Sequence, residues 1–127
     1  MTAGELMAKA RQAVASAKAL LDLGDPDGAT SRAYYAMFDA ARAALIAHGV
    51  EIRTSKHGTV IGEFSRRFVK NGPLPRAIGR ALNDAQVLRT RADYDGPNVA
   101  PDAARDTVAQ AAEFVEAIER LLGPSPP

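Results

Sequence analysis

The feature that most constrains the fold is the spacing of apolar residues, which recurs at steps of three and four along the chain. Such spacing places apolar side chains on one face of an α-helix. The last segment shows the steps four, three, four, three and four, at Ala104, Val108, Ala111, Val115, Ile118 and Leu122. No segment shows the sustained period-two alternation of a half-buried strand. The sequence therefore predicts an all-α protein.

Glycine and proline, both poor helix formers, divide this pattern into five helical segments. The expected helices cover residues 3–22, 29–48, 55–70, 75 to about 93, and 101–122. Short loops between helices of similar length favour antiparallel neighbours. We therefore expect an antiparallel up-and-down bundle of four to five helices.

The length of 127 residues suits one domain with a core of its own. We assign residues 1–123 to this domain and expect the proline-rich tail, 124–127, to be disordered. The chain has no cysteine, which excludes disulfides and thiolate metal sites. No run approaches the roughly 18 apolar residues of a membrane span. A cytoplasmic protein that does not enter the membrane is expected.

Charge is distributed unevenly along the chain. Residues 53–91 contain nine basic and two acidic residues and carry +7, so the remainder must carry −6 to give the total of +1. Concentrated basic charge predicts a surface for phosphate-bearing partners. The alternative is that these residues are solvated or pair with acidic helices. The residues predicted to contact nucleic acid are Arg66, Arg67, Lys70, Arg76, Arg80 and Arg91.

Three blocks of sequence resemble a branch of small bacterial and archaeal proteins of the HEPN family, a helical domain named for nucleotide binding in higher eukaryotes and prokaryotes. Ser31–Leu45 is similar to the second helix of that branch. Ser55–Phe64 is similar to the Lys-(Thr)-His start of its next helix, and Leu88–Asp95 to its arginine/Ala-Asp-Tyr signature. The order and spacing of the blocks agree across about residues 29–97.

The resemblance implies an antiparallel helical bundle that commonly forms homodimers. Many family members are metal-independent endoribonucleases that act as toxins beside a nucleotidyltransferase-like antitoxin, whereas others are non-catalytic modules that bind RNA or nucleotides. We therefore expect RNA or a nucleotide as ligand, a homodimer, and a nucleotidyltransferase-like partner. No cofactor or metal is implied.

One departure from the family pattern leaves the activity open. In the nucleases an arginine is followed, four to six residues later, by a histidine, and the arginine corresponds to Arg89. Residues 90–95 contain no histidine. The chain is then either an endoribonuclease with another acid–base group or a non-catalytic binding module. A third alternative is a structural adaptor that uses its alanine-rich helix faces.

Arg89 is the most informative candidate residue. It follows Ala85 by four and Leu82 by seven residues, which places it on an apolar stripe. A guanidinium there must be paired or must reach a cleft, because an isolated buried charge is prohibitively costly. We expect it either to clamp a phosphate and stabilise the transition state, or to form an ion pair with Asp93.

Three other residues are candidates for the catalytic chemistry. RNA cleavage by 2′-hydroxyl attack needs a base and an acid. Asp93 is a candidate base and Tyr94 a candidate positioning residue, although Asp93 can instead fix Arg89 while Tyr94 packs where the helix ends. His57 lies in the first turn of the third helix, where the helix dipole favours a neutral imidazole. Near Arg89 it would replace the missing histidine; elsewhere its role would be capping or packing.

The aromatic residues of the second helix are interpreted mainly as core. Tyr34, Met37 and Phe38 share one face at helical spacing. Tyr35 and Arg32 fall on a neighbouring face and are expected to border a cleft.

Overall fold

The computed structural model describes residues 1–52, 56–94 and 98–124. Five α-helices and one π-helical segment make up the fold, and no strand occurs within these ranges, which confirms the all-α prediction. The elements are α1 (Ala3–Asp22), α2 (Pro26–Ala47), α3 (His57–Phe64), the π-helix π1 (Ser65–Lys70), α4 (Arg76–Tyr94) and α5 (Pro101–Leu122). Within the same ranges no helix is both long and apolar enough to cross a membrane.

The start of each of the first two helices is fixed by side-chain caps. The Thr2 hydroxyl accepts from the Glu5 N–H at 3.1 Å, and the Glu5 carboxylate accepts from the Thr2 N–H, which is a capping box. The Asp25 carboxylate accepts from the Gly28 N–H at 2.9 Å and starts α2. Helix α2 therefore begins three residues before the predicted start at 29, because Pro26 is tolerated in a first turn.

The predicted helix over residues 55–70 consists of α3 followed by π1. The π geometry is visible in the Asn71 N–H, which donates to the Arg66 carbonyl five residues earlier at 3.1 Å. Gly72 follows the segment at a close approach of the chain, where a Cβ would lie 2.5 Å from the Arg67 carbonyl oxygen and glycine is therefore required. The predicted start at residue 55 lies outside the described residues.

Helix α2 is the centre of the bundle and packs against α1, α3, α4 and α5. A three-residue turn joins α1 to α2, so the two form an antiparallel hairpin. Small side chains allow the close approach, since every alanine from Ala29 to Ala44 is fully buried. The predicted core residues Tyr34, Met37 and Phe38 are buried, and Phe64 stacks at a tilt on Phe114 with ring centroids 5.4 Å apart.

Truncation of the central aromatic contact is expected to destabilise the bundle strongly. Phe114 has no solvent exposure, so Phe114→Ala should lower the free energy of unfolding by about 3–5 kcal/mol through lost burial and a residual cavity. Urea denaturation measures the change. Leu23→Ala is the control, because Leu23 is 79% exposed and should change stability by less than about 0.5 kcal/mol. Equal effects of the two substitutions would contradict this packing.

The end of the last helix agrees with the sequence pattern. Helix α5 ends at Leu122, and Gly123 adopts the left-handed φ of 73° that favours glycine. Residues 125–127 of the predicted disordered tail lie outside the described residues, so that expectation stays a prediction.

Candidate functional site

Three helices meet at the side chain of Tyr34, which is fully buried on α2. The His57 imidazole, at the start of α3, lies with Nδ1 2.6 Å from the Tyr34 hydroxyl oxygen. The Arg89 guanidinium, on α4, lies with Cζ 4.8 Å from the centroid of the Tyr34 ring. We call Arg89, His57, Tyr34 and the adjacent Tyr35 the Arg89 cluster. Arg89 and His57 therefore lie beside the same aromatic ring, which is one of the two placements that the sequence left open for His57.

His57 is held in place by aromatic contacts. Its ring stacks on Phe38 with centroids 4.1 Å apart and meets Tyr35 edge-on at 5.9 Å. Burial lowers the pKa of His57, and the positive charges of Arg89 and Arg42 lower it further. The imidazole is consequently neutral at pH 7 and is able to accept a proton.

Arg89 is both paired and incompletely satisfied. Its Nη1 donates to the Asp93 carboxylate at 3.2 Å, so the predicted ion pair is present. The side chain is only 18% exposed, and its Cζ lies 5.6 Å from the Tyr35 ring centroid. The buried Nε–H has no hydrogen-bond partner among the described residues. An unpaired buried donor costs about 1–3 kcal/mol, so Arg89 is held at a cost in stability.

The Tyr34 hydroxyl can form its hydrogen bond with either tautomer of His57. Burial raises the pKa of Tyr34 to about 12, so the hydroxyl remains protonated at neutral pH. When His57 carries its proton on Nδ1, that N–H donates to the Tyr34 oxygen and Nε2 keeps a lone pair. In the other tautomer the hydroxyl donates to Nδ1, and Nε2–H is a donor.

A polar face of α2 extends the cluster; the sequence analysis identified Arg32 and Tyr35 on it but missed Asp39 and Arg42. Asp39 lies four residues after Tyr35, and burial raises its pKa, against the opposing effect of the nearby charges of Lys9 and Arg42. The signal was present, because Arg32, Tyr35, Asp39 and Arg42 follow at steps of three, four and three. No group of three potential ligands able to hold a metal ion is found among the described residues.

Tyr94 is not brought to the Arg89 cluster. At 100° per residue it lies about 140° around α4 from Arg89, and its side chain is 78% exposed. The ring does not pack at the helix end, in contrast to the alternative considered from the sequence. Asp93, one residue earlier, does contact Arg89. The two adjacent candidates therefore separate onto different faces.

Four of the six predicted basic residues line one open groove between π1 and α4, with a volume of about 540 Å³. These are Arg66, Lys70, Arg76 and Arg80. Arg67 shares the Glu63 carboxylate with Arg66 but does not line this groove, and Arg91 is exposed further along α4. The structure thus divides the predicted functional residues between two places, the Arg89 cluster and this basic groove.

Removal of the Tyr34 hydroxyl is expected to change the alkaline stability of the protein. The unfolded-state pKa is near 10 and the folded value about 12, so the unfolded chain loses its proton first as pH rises. The wild-type free energy of unfolding should fall by on the order of 2 kcal/mol between pH 10 and 12 from this group. Tyr34→Phe should lack that part of the slope in denaturant titrations. Parallel curves for the two proteins would contradict the assignment.

The fold and the cluster define a class of small helical bundles with a mostly buried arginine and a neutral imidazole between the second, third and fourth helices. The family model for the HEPN domain matches residues 3–121. The chain therefore belongs to the HEPN family.

Curated relatives and a solved structure are consistent with this assignment. The chain is 37% identical over 120 residues to a UPF0332 protein of Gloeobacter violaceus, which covers 93% of this chain and 94% of the relative. It is 31% identical over 113 residues to a Methanocaldococcus jannaschii protein named "Putative toxin". That match covers 89% of this chain and 83% of the relative. An archaeal HEPN homologue superposes with a TM-score of 0.75 over 97% of this chain and 99% of that one. At 14% identity that likeness shows the fold alone.

Proposed function

We propose that this protein is a toxin-type endoribonuclease that cleaves RNA without a metal ion. The observation that carries the proposal is the meeting of Arg89 and a neutral His57 at Tyr34. His57 stands beside the arginine although the histidine expected after Arg89 in the sequence is absent. The relatives named as toxins support the biological role.

The chemistry needs one group that moves protons and one that stabilises negative charge. With Nδ1–H donating to the Tyr34 oxygen, His57 Nε2 accepts the proton of the RNA 2′-hydroxyl. The 2′-oxygen attacks phosphorus, and the bond from phosphorus to the 5′-oxygen breaks. The imidazolium returns the proton to that 5′-oxygen. The products are a 2′,3′-cyclic phosphate and a 5′-hydroxyl, so atoms and charge balance.

Arg89 acts on the phosphate in this proposal. The accessible part of its guanidinium binds the non-bridging oxygens, whose charge grows as the 2′-oxygen attacks. Asp93 holds the guanidinium in place through Nη1. The π-faces of Tyr34 and Tyr35 support the cation at 4.8 and 5.6 Å. Asp93 is thus a positioning residue rather than the base.

Incubation of the purified protein with total RNA and tRNA in EDTA tests the proposal. Cleavage is expected, with cyclic phosphate ends, and an RNA analogue with 2′-deoxyribose at the cleaved position should remain intact. Cleavage of the deoxy analogue, or cleavage only when a divalent metal is added, would contradict the mechanism. Absence of any cleavage would reject the nuclease.

A second candidate function is a non-catalytic module that binds RNA or nucleotides, as a homodimer or beside a nucleotidyltransferase-like antitoxin. The Arg89–Asp93 ion pair favours it, because the carboxylate already occupies part of the guanidinium. The module would bind RNA with strong salt dependence and leave it intact. Light scattering during gel filtration would give the oligomeric state.

A further inference from the structure

The outer face of α4 carries a second set of chemically similar residues, on the opposite side of the helix from Arg89. At 100° per residue, the members of this set fall within about 60° of one another, whereas Arg89 lies about 180° from Arg80. The set consists of Arg76, Arg80, Val87, Arg91 and Tyr94. Over this stretch α4 extends about 27 Å, at 1.5 Å per residue. The face is therefore a long surface with three arginines and one carboxylate, that of Asp84, and it is separate from the Arg89 cluster.

The groove against π1 widens this face near the start of α4. Lys70, Arg76 and Arg80 line it and form no ion pair with any described residue, so their charges are available to a ligand. Gly79 lets α4 approach π1, since a Cβ there would lie 3.3 Å from the Val69 methyl groups. No acidic residue is among the groove lining in the described part of the chain.

Ser65 gives an independent indication of a ligand in the groove. It lines the groove, and its hydroxyl oxygen is buried without a hydrogen-bond partner among the described residues. Ser65 belongs to π1, and π-helical turns occur frequently at functional sites. A hydroxyl and three cations that lack partners among the described residues suit a phosphate oxygen, which accepts hydrogen bonds from both kinds of group.

An exposed aromatic ring stands at the other end of the face. Tyr94 is 78% exposed and Val87, two turns before it, is 53% exposed. A solvent-exposed aromatic ring at the end of a basic surface resembles the arrangement by which proteins bind single-stranded nucleic acid. In such sites cations follow the phosphates and aromatic rings stack on the bases.

We infer that the groove and the outer face of α4 form a binding track for single-stranded RNA. Lys70, Arg76 and Arg80 contact backbone phosphates, and Tyr94 stacks on an unpaired base. The track lies apart from the Arg89 cluster, so it binds and positions the strand rather than cleaving it. The inference rests on the proposed function only in taking RNA as the ligand.

Binding of a fluorescent single-stranded 2′-O-methyl RNA, which lacks the attacking hydroxyl, measures the track without cleavage. The double variant R76A/R80A should bind about tenfold more weakly and lower the slope of log affinity against log salt by about 1.4, at 0.7 for each phosphate contact. R11A/R105A removes the same charge from arginines outside the track, which pair with Glu119 and Asp102. It should change affinity by less than about threefold. Equal losses in the two double variants would overturn the inference.

Three single substitutions, at Tyr94 and Asp84, test the stacking and the charge of the track. Tyr94→Ala should weaken binding about tenfold through lost stacking, whereas Tyr94→Phe, which keeps the ring, should bind like the parent. Asp84 is exposed beside Arg80 and Arg91 on the helix surface, so Asp84→Asn should strengthen binding by reducing repulsion. Weaker binding by the Phe variant would overturn the stacking role.

The experiment separates the two proposals. If the parent cleaves RNA but the track variants bind as it does, the track is wrong and the nuclease stands. If the parent does not cleave, and R76A/R80A still binds more weakly than R11A/R105A, the nuclease is wrong and the track stands.

Discussion

Replacement of Arg89 by methionine is expected to lower the rate of RNA cleavage by about 10²–10³-fold, the loss typical when one stabilising donor is removed from a transition state. Methionine keeps most of the aliphatic volume beside Tyr34 and removes the guanidinium. Arg89→Lys should recover little activity, because a lysine ammonium lacks the planar fork that binds two phosphate oxygens at once. Single-turnover cleavage of one defined RNA measures each loss.

The free energy of unfolding of the same variants shows whether Arg89 has a catalytic or a structural role. The guanidinium is only 18% exposed and leaves a buried Nε–H without a described partner. Its removal should therefore leave the free energy of unfolding within about 1 kcal/mol of the parent, or raise it. A methionine variant that is strongly destabilised yet fully active would show that the Asp93 pair is structural and that Arg89 is not catalytic.

Substitution of His57 is expected to have the second large effect. His57→Gln should lower cleavage by about 10²–10⁴-fold, because glutamine has a similar size but moves no proton. Burial and Arg89 hold the pKa of His57 below its usual 6.5. The parent should therefore keep its activity at pH values somewhat below 6.5 and lose it as the imidazole becomes protonated. The residual activity of the glutamine variant should not show this dependence.

The free energy of unfolding of the parent should depend on pH through the protonation of His57. Below pH 6.5 the unfolded chain binds the His57 proton more readily than the folded protein, so the free energy of unfolding falls as pH decreases. His57→Gln should lack that contribution in urea titrations. A His57 resonance that titrates at or above 6.5 in an NMR experiment would contradict the assignment.

The helical architecture could be predicted from the sequence because it depends on local information. Apolar spacing located five helices, and glycine and proline located the breaks within a few residues. The π-helical segment Ser65–Lys70 could not be predicted, since its apolar stripe is that of an ordinary helix. The hydrogen bond from Asn71 that defines it depends on how the chain turns at Gly72.

The candidate site was predicted only in part, because it depends on how distant helices pack. Arg89 and His57 were both identified, and the fold brings them to one aromatic ring. Tyr34 was interpreted as core alone, which describes its burial but not its hydroxyl, whose partner lies 23 residues along the chain. Tyr94 was grouped with Asp93 because they are adjacent, whereas successive residues of a helix point about 100° apart.

The central claim, that Arg89 and His57 form one site, is tested most directly by a double-mutant cycle on single-turnover RNA cleavage in EDTA. The parent, Arg89→Met, His57→Gln and the double variant are compared. If the two residues act on the same phosphate, the double variant should be only slightly less active than the less active of the two single variants. Losses that multiply would show that the two residues act independently and would contradict a shared site.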